Sequence, residues 1–282
     1  MIRRTPPSLR VGRYFLKGLP TFLWIIIITS AISLIGLIIF NFFPGTADYF
    51  VLSPEKILQG EALWTLVTHV FFHADFLHLF VNMFSLLFIG SVCETIIGKK
   101  RFIGFYLVAG ITGGVFFILS AYFGSVTGYT NVFGNLALAG VGASGALFGL
   151  LGILAVIIPK KKVYLIAGPL ILIILQVMLP QFISGTLLNI INILISLLLF
   201  IMIFSLFVPS SSLRKFSVPI EMPIWFAPIA AIVPLVLITI FGVALPIGNS
   251  AHFGGLVAGL IYGAYLRFNY PRKVEMIGRV FR

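Results

Sequence analysis

The sequence predicts an all-α polytopic membrane protein, and three observations support that class. Of the 282 residues, 60% are hydrophobic and only 9% are charged, and the mean hydropathy is +1.15. A soluble domain carries about 25% charged residues, so this chain has too few to solvate a globule. Many of its apolar stretches are as long as a helix that crosses a hydrocarbon core about 30 Å thick. The basic residues gather in every second segment between these stretches.

Eight apolar runs follow one another along the chain, at about 21–43, 76–98, 102–123, 144–159, 163–180, 186–208, 224–246 and 250–268. We expect one transmembrane domain over 21–268, preceded by a basic segment (1–20) and followed by a basic tail (269–282). Within it, residues 44–75 form an external loop, and residues 160–246 hold three runs in succession.

Charge supports a topology with both termini in the cytoplasm. If all eight runs cross the membrane, every one of the 19 Lys and Arg residues except Lys56 is cytoplasmic. Basic residues concentrate on the cytoplasmic side of membrane proteins. A map with six spans, in which two of the runs between 163 and 246 do not cross, has the same parity and remains an alternative.

Two further features restrict the function. The net charge of +12 is typical of nucleic-acid binding, but in an apolar chain it fits the cytoplasmic charge bias better, so we expect no nucleic-acid partner. The single cysteine, Cys93, excludes an internal disulfide and a cysteine-based metal site. We expect no cofactor.

Polar residues inside apolar runs are costly in lipid and are therefore functional candidates. Asn82 lies early in the second run, Ser144 opens the fourth and His252 opens the last. All three runs enter from the external face in this topology, so the three side chains are expected at similar depth.

Ser144 stands between small residues, in Gly142-Ala143-Ser144-Gly145 at a predicted helix start. Small neighbours let a substrate backbone approach, and the first N–H groups of a helix lack intrahelical partners and can face a negative oxygen. The motif also fits a purely structural alternative, because small residues promote close packing of membrane helices.

His252 favours the catalytic interpretation. Gly255 and Gly259 follow it on one bare helix face, which permits close approach to the serine helix. A serine hydroxyl needs a base to become a nucleophile, and histidine is the usual one. No acid lies at the same depth, so a Ser–His dyad is expected, with Phe148 stacking on the imidazole.

Hydrogen-bond donors for an oxyanion are expected from His73, His78 and Asn82, of which the last two share a helix face. A zinc site built from His69, His73 and His78 is the alternative. The sequence lacks the His-Glu-x-x-His motif that supplies a zinc protease with its base, so we expect no metal.

The pattern His73-x4-His78-x3-Asn82, Gly142-Ala143-Ser144-Gly145 and Ala251-His252-x2-Gly255-x3-Gly259 resembles the rhomboid family of intramembrane serine proteases. The resemblance runs over about 60–160 and resumes near 245. It implies a six-helix core and cleavage of peptide bonds in or beside the transmembrane segments of substrate proteins. The implied roles are nucleophile and base for Ser144 and His252, oxyanion or substrate binding for His78, Asn82 and Gly142, and support by His73, Phe148, Gly255 and Gly259.

Two departures from the family pattern stand out. The usual Trp-Arg pair is replaced by Trp64-Thr65, so any anchoring by that arginine is absent. Three runs, instead of one, separate the serine and histidine helices, which predicts two extra helices. Because three is odd, both helices still enter from the same face. The sequence does not decide which of the three runs fills the usual fifth-helix position.

Three other classes compete with this interpretation. A catalytically inactive rhomboid-like binding protein would normally lack the serine or the histidine. A small-molecule transporter would usually show internal repeats or deep ionisable groups. An intramembrane aspartyl protease needs two aspartates in the membrane, which the chain lacks. We expect a multi-pass protein of a prokaryotic plasma membrane, with its site near the external face and transmembrane proteins as partners; the sequence leaves its oligomeric state open.

Overall fold

The structure, a computed structural model, describes residues 18–205, 219–240 and 248–281, which are mostly helical. The α-helices of these residues, in chain order, are α1 (Thr21–Phe42), α2 (Pro54–Leu58), α3 (Thr65–Thr68), α4 (Phe76–Ile97), α5 (Lys99–Thr127), α6 (Thr130–Phe133), α7 (Ser144–Ile157), α8 (Ala167–Met178), α9 (Gly185–Ser205), α10 (Ala227–Ile240), α11 (Asn249–Asn269) and α12 (Pro271–Val280). Two strands, β1 (Lys162–Ile166) and β2 (Pro219–Pro223), and three 3-10 turns, Pro44–Tyr49, His69–Phe71 and Leu179–Gln181, join them. Most of the predicted basic N-terminal segment lies outside the described residues.

The expected helical membrane fold is confirmed. Among the described residues, four helices, α1, α4, α5 and α9, are long and apolar enough to cross a bilayer. The serine helix α7 and helix α10 have 14 residues each, and the histidine helix α11 has 21. The number of spans stays a prediction.

Helices α5, α7 and α11 form the centre of the protein, and glycines bring their backbones together. A Cβ atom added to Gly113 on α5 would lie 2.8 Å from the Ala251 carbonyl oxygen on α11. One added to Gly152 on α7 would lie 2.8 Å from the Leu256 carbonyl oxygen. Such contacts exclude any larger side chain, so the sequence itself specifies this close packing.

Glu94 anchors the start of α1 to the end of α4. Its buried carboxylate accepts hydrogen bonds from the backbone N–H groups of Thr21, at 3.0 Å, and Phe22, at 2.8 Å. These N–H groups have no partner within their own helix, and a negative charge at a helix N-terminus is favourable. Glu94 therefore has a structural task away from the serine and histidine.

The loop over residues 44–75 is held against the segment that precedes the serine helix. Leu52 and Gly140 exchange two backbone hydrogen bonds, of 2.9 and 2.8 Å. Trp64 donates its indole N–H to the Tyr49 carbonyl at 2.8 Å. Thr65, which stands where the family usually has arginine, is buried and donates its hydroxyl to the Ala62 carbonyl.

The fifth predicted run begins differently from its prediction as a helix starting at 163. Residues Lys162–Ile166 form a strand that pairs antiparallel with Pro219–Pro223, from Lys162 opposite Pro223 to Ile166 opposite Pro219. Val163, Tyr164 and Ile166 are β-branched or aromatic, which favours a strand once a partner is available. That partner is distant in sequence, so the apolar pattern of the run by itself predicts a helix.

Helices α8 and α9 fold back on each other, and Gln176 donates to the Ser196 hydroxyl at 3.1 Å. The strand β1 leads directly into α8, and its partner β2 also contacts α8. The next helix, α10, packs against both α7 and α11, and Asn249 donates to Thr239 at 3.3 Å. The last of the three intervening runs therefore occupies the place beside the serine and histidine helices.

Candidate active site

Ser144 and His252 meet although 108 residues separate them along the chain. The Ser144 hydroxyl oxygen lies 2.8 Å from Nε2 of His252. Ser144 is the first residue of α7, and His252 is the fourth residue of α11. The serine is half-buried and the imidazole is buried. This distance is that of a good hydrogen bond.

Two glycine pairs along α7 and α11 produce this contact. A Cβ atom on Gly255 would overlap the carbonyl oxygen of Gly145, and one on Gly259 would overlap that of Gly149. The two helices are thus in backbone contact for more than a helical turn beyond the serine. Any side chain at these positions would push His252 away from Ser144.

Phe148 orients the imidazole. Its ring stacks on that of His252 with centroids 4.5 Å apart and planes 19° from parallel. Among the described residues, Nδ1 of His252 has no hydrogen-bond partner, so no carboxylate there completes a triad. Aromatic packing therefore takes the positioning task that an acid performs in a three-residue arrangement.

Gly142 shapes the segment in front of the serine. Its φ of +124° is a conformation that residues with a side chain rarely adopt. A Cβ atom at this position would also lie 2.8 Å from Cε1 of His78. The His78 ring therefore lies directly against the backbone two residues before Ser144.

Asn82 lies one turn after His78 on the same face of α4. It is buried, and its amide nitrogen donates to the His78 carbonyl at 2.8 Å. An amide NH₂ carries two hydrogens, so one remains available for a ligand. Asp75 caps this helix by accepting the His78 backbone N–H at 2.7 Å, which fixes the start of α4.

His73, which the sequence also suggests as an oxyanion donor, lies beside the segment of Gly142 and Ala143. Its Nδ1 lies 2.9 Å from the Ser33 hydroxyl, and its Nε2 accepts the Ala143 N–H at 3.4 Å. Both ring nitrogens are therefore engaged. The supporting role expected for His73 stays a hypothesis, now with Ser33 as its partner.

Sequence reasoning did not select Ser33. Ser33 is a polar residue inside the first apolar run, and a polar residue inside an apolar run is also the feature that selects His252. However, serine hydroxyls in helices commonly bond to their own backbone, so this signal alone does not separate a functional serine from an ordinary one.

No group of three or more histidine, cysteine or acidic side chains suited to a metal ion occurs in the part of the chain that the structure describes. His69, a member of the alternative zinc site, uses Nδ1 in a 2.7 Å hydrogen bond to the Thr65 carbonyl. Its own carbonyl accepts the Gly142 N–H at 2.9 Å.

The serine and the histidine thus share a hydrogen bond at the starts of two tightly packed helices of a helical membrane protein. Residues 60–211, just over half of the chain, match the rhomboid domain. The chain therefore belongs to the rhomboid family, whose members are generally proteases. The match contains Ser144, His78 and Asn82, whereas His252 lies beyond it.

Curated relatives come from distant organisms. The chain is 31% identical over 156 residues to the rhomboid protease GluP of Bacillus subtilis, covering 54% of this chain and 27% of that protein. It is 38% identical over 100 residues to rhomboid-like protease 1 of Toxoplasma gondii, covering 36% and 29% of the two chains. With the mitochondrial rhomboid protein 1 of Saccharomyces cerevisiae it shares 32% identity over 107 residues, covering 37% and 28%. The alignments span less than a third of each of these relatives.

Proposed function

We propose that this protein is an intramembrane serine endopeptidase that cleaves peptide bonds in or beside the transmembrane segments of other membrane proteins. The observation that carries the proposal is the 2.8 Å contact between the Ser144 hydroxyl and Nε2 of His252. Family membership and the names of the relatives support the class of reaction.

The chemistry follows from that contact. His252, neutral, accepts the hydroxyl proton while Ser144 Oγ bonds to the scissile carbonyl carbon, which gives a tetrahedral intermediate and an imidazolium. The imidazolium then gives its proton to the leaving amine, and an ester to Ser144 remains. A water molecule, deprotonated by the same imidazole, hydrolyses the ester and restores the hydroxyl. These steps require no cofactor.

Three groups are suited to stabilise the negative oxygen of the intermediate. The backbone N–H of Ser144 belongs to the first turn of α7, where no intrahelical acceptor exists. The His78 ring lies against Gly142, and Asn82 retains an amide hydrogen. Removing one such donor from a serine hydrolase typically costs about 10²- to 10³-fold in turnover.

The setting suggests the substrate class and the location. Exposed side chains of α1, among them Ile35 and Ile38, are apolar and suited to contact with lipid, so substrates would approach through the bilayer. We propose that the site faces the external side of a prokaryotic plasma membrane; the distribution of basic residues supports this orientation. In that orientation the serine and histidine, at the starts of their helices, would lie near one boundary of the membrane, where water is available for hydrolysis.

Covalent labelling with a serine-directed fluorophosphonate tests the proposal. The purified protein in bicelles should incorporate one label at Ser144 and should cleave a reconstituted transmembrane substrate. Ser144→Ala should abolish both. Ser85→Ala is the matched control, because Ser85 lies in α4 and donates only to a carbonyl of its own helix, at 2.8 Å. Cleavage by Ser144→Ala at the parental rate would refute the proposal, and absence of labelling in the parent would favour an inactive binding protein.

A further inference from the structure

Ser33, in the middle of α1, is completely buried and bonds to two groups of the loop that precedes α4. Its Oγ lies 2.8 Å from the Phe71 carbonyl oxygen and 2.9 Å from Nδ1 of His73. Both partners lie at least 38 residues away in sequence. Unlike Ser85, which donates to a carbonyl of its own helix, Ser33 therefore bonds to groups outside its helix.

Proton counting fixes the state of His73. A hydroxyl has one hydrogen, and a carbonyl oxygen can only accept, so the Ser33 hydrogen points to Phe71. Towards His73 the hydroxyl must accept, which requires a proton on Nδ1. A neutral imidazole then has a bare Nε2, and this is the atom that faces the Ala143 N–H at 3.4 Å. All three contacts agree with one tautomer.

The chain of contacts ends one residue before the candidate nucleophile. The Gly142 N–H donates to the His69 carbonyl and the Ala143 N–H to His73. Both amides are therefore already bonded to histidines of the preceding loop and are not free to bind a substrate oxygen. The Ser144 N–H is the first in this segment that is free to face a substrate oxygen. The orientation of Ala143 decides which way the next peptide group points.

We infer that Ser33 is a positioning residue, which holds His73 in its Nδ1-protonated tautomer so that Nε2 fixes the Ala143 peptide and aims the Ser144 N–H at the substrate. The inference rests on the proposed function for its effect on catalysis. The tautomer and the hydrogen bonds it predicts do not depend on activity. Ser33 touches no reacting atom and acts through His73 and Ala143.

The tautomer is measured directly by ¹⁵N NMR of histidine-labelled protein in bicelles, with the His73 signals assigned by their loss in His73→Asn. The parent should show a protonated Nδ1 and an unprotonated Nε2 for His73. Detection of the opposite tautomer, or of a doubly protonated ring at neutral pH, would overturn the inference. This measurement needs neither a substrate nor a variant of Ser33.

Variants test the effect on catalysis. Ser33→Ala should allow the His73 signals to shift towards a mixture of tautomers. Because a small misplacement of a reacting group can cost about 10²-fold, we expect turnover and the fluorophosphonate rate to fall by about 10- to 100-fold with little change in KM. Ser33→Thr keeps the hydroxyl and should retain the tautomer and more of the turnover than Ser33→Ala.

Thr29→Val is the matched control. Thr29 lies one turn before Ser33, is equally buried, and its hydroxyl has no partner among the described residues. It should leave both the His73 spectrum and turnover unchanged. Equal losses in Thr29→Val and Ser33→Ala, or parental turnover in Ser33→Ala, would overturn the inference. If the parent shows the expected tautomer but no labelling of Ser144, the proposed function fails while the hydrogen-bond chain stands.

Discussion

Phe148 lies flat against His252, with ring centroids 4.5 Å apart and an interplanar angle of 19°. Both residues are held by the packing of α7 on α11, and Nδ1 of His252 has no partner in the described part of the chain. The stack and the hydrogen bond between Nε2 and Ser144 therefore both restrain the rotation of the imidazole.

Phe148→Leu tests this restraint. An aromatic stack contributes about 0.5–1.5 kcal/mol, so turnover should fall by about 2- to 10-fold, with KM nearly unchanged. Phe148→Tyr should preserve the stack and most of the turnover. Phe105→Leu is the control, because Phe105 makes a comparable stack at 4.9 Å with Tyr262, further along α11 than His252. A loss in Phe105→Leu equal to that in Phe148→Leu would assign the effect to general packing.

The serine and histidine should behave as one unit. Ser144→Ala and His252→Ala should each abolish cleavage of a transmembrane substrate, because in the proposed mechanism the hydroxyl forms the acyl-enzyme and the imidazole removes its proton. The double variant should be no worse than either single variant. Residual rates of the three variants, measured by single-turnover cleavage, decide the matter. If the loss of rate in the double variant equals the product of the two single losses, the residues act independently.

Asn82→Ala should separate oxyanion stabilisation from nucleophile activation. Turnover should fall by about 10- to 1000-fold with a smaller change in substrate binding, since in the proposed mechanism the lost hydrogen bond forms with charge that develops in the transition state. The fluorophosphonate should still label Ser144, more slowly. Ser85→Ala, on the same helix, provides the control. Full activity of Asn82→Ala would make Asn82 structural and leave His78 and the backbone as donors.

Gly255→Ala should destabilise the protein, because its new Cβ atom would overlap the Gly145 carbonyl oxygen and force α7 and α11 apart. Overpacking typically costs about 1–3 kcal/mol. Gly104→Ala is the control: Gly104 is also helical, but a Cβ there meets no atom within 4 Å. Alanine should stabilise α5 slightly at that position. Thermal unfolding in detergent compares the two variants, and equal midpoints would contradict the tight contact.

Reporter fusions test the topology expected from the basic residues. Fusions after residues 130, 183 and 248 should report the external side, and fusions after 161 and 213 the cytoplasmic side. The decisive fusion is the one after 183, between α8 and α9. If it reports the cytoplasm, the hairpin of α8 and α9 does not cross the membrane, and the number of spans falls from eight to six. The serine and histidine helices would still enter from the same face.

Much of the architecture was readable in the sequence because the bilayer imposes it. Apolar runs long enough to span a membrane and the clustering of basic residues predict a polytopic helical protein before any contact is known. Ser144, His252 and Asn82 stood out for the same reason, since polar side chains are rare in such runs. The spacing of Gly255 and Gly259 predicts a helix face without side chains, because residues four apart lie on the same side of a helix.

Other features required the tertiary structure, because they depend on partners far apart in the chain. The strand Lys162–Ile166 forms only because Pro219–Pro223 pairs with it. Glu94 holds the start of α1, 72 residues earlier, and no local sequence pattern predicts that contact. Ser33 looks like any serine in an apolar helix until the fold brings His73 and Phe71 to its hydroxyl. A hydrogen bond is a matter of distance and direction between two groups, and the sequence records only that each group exists.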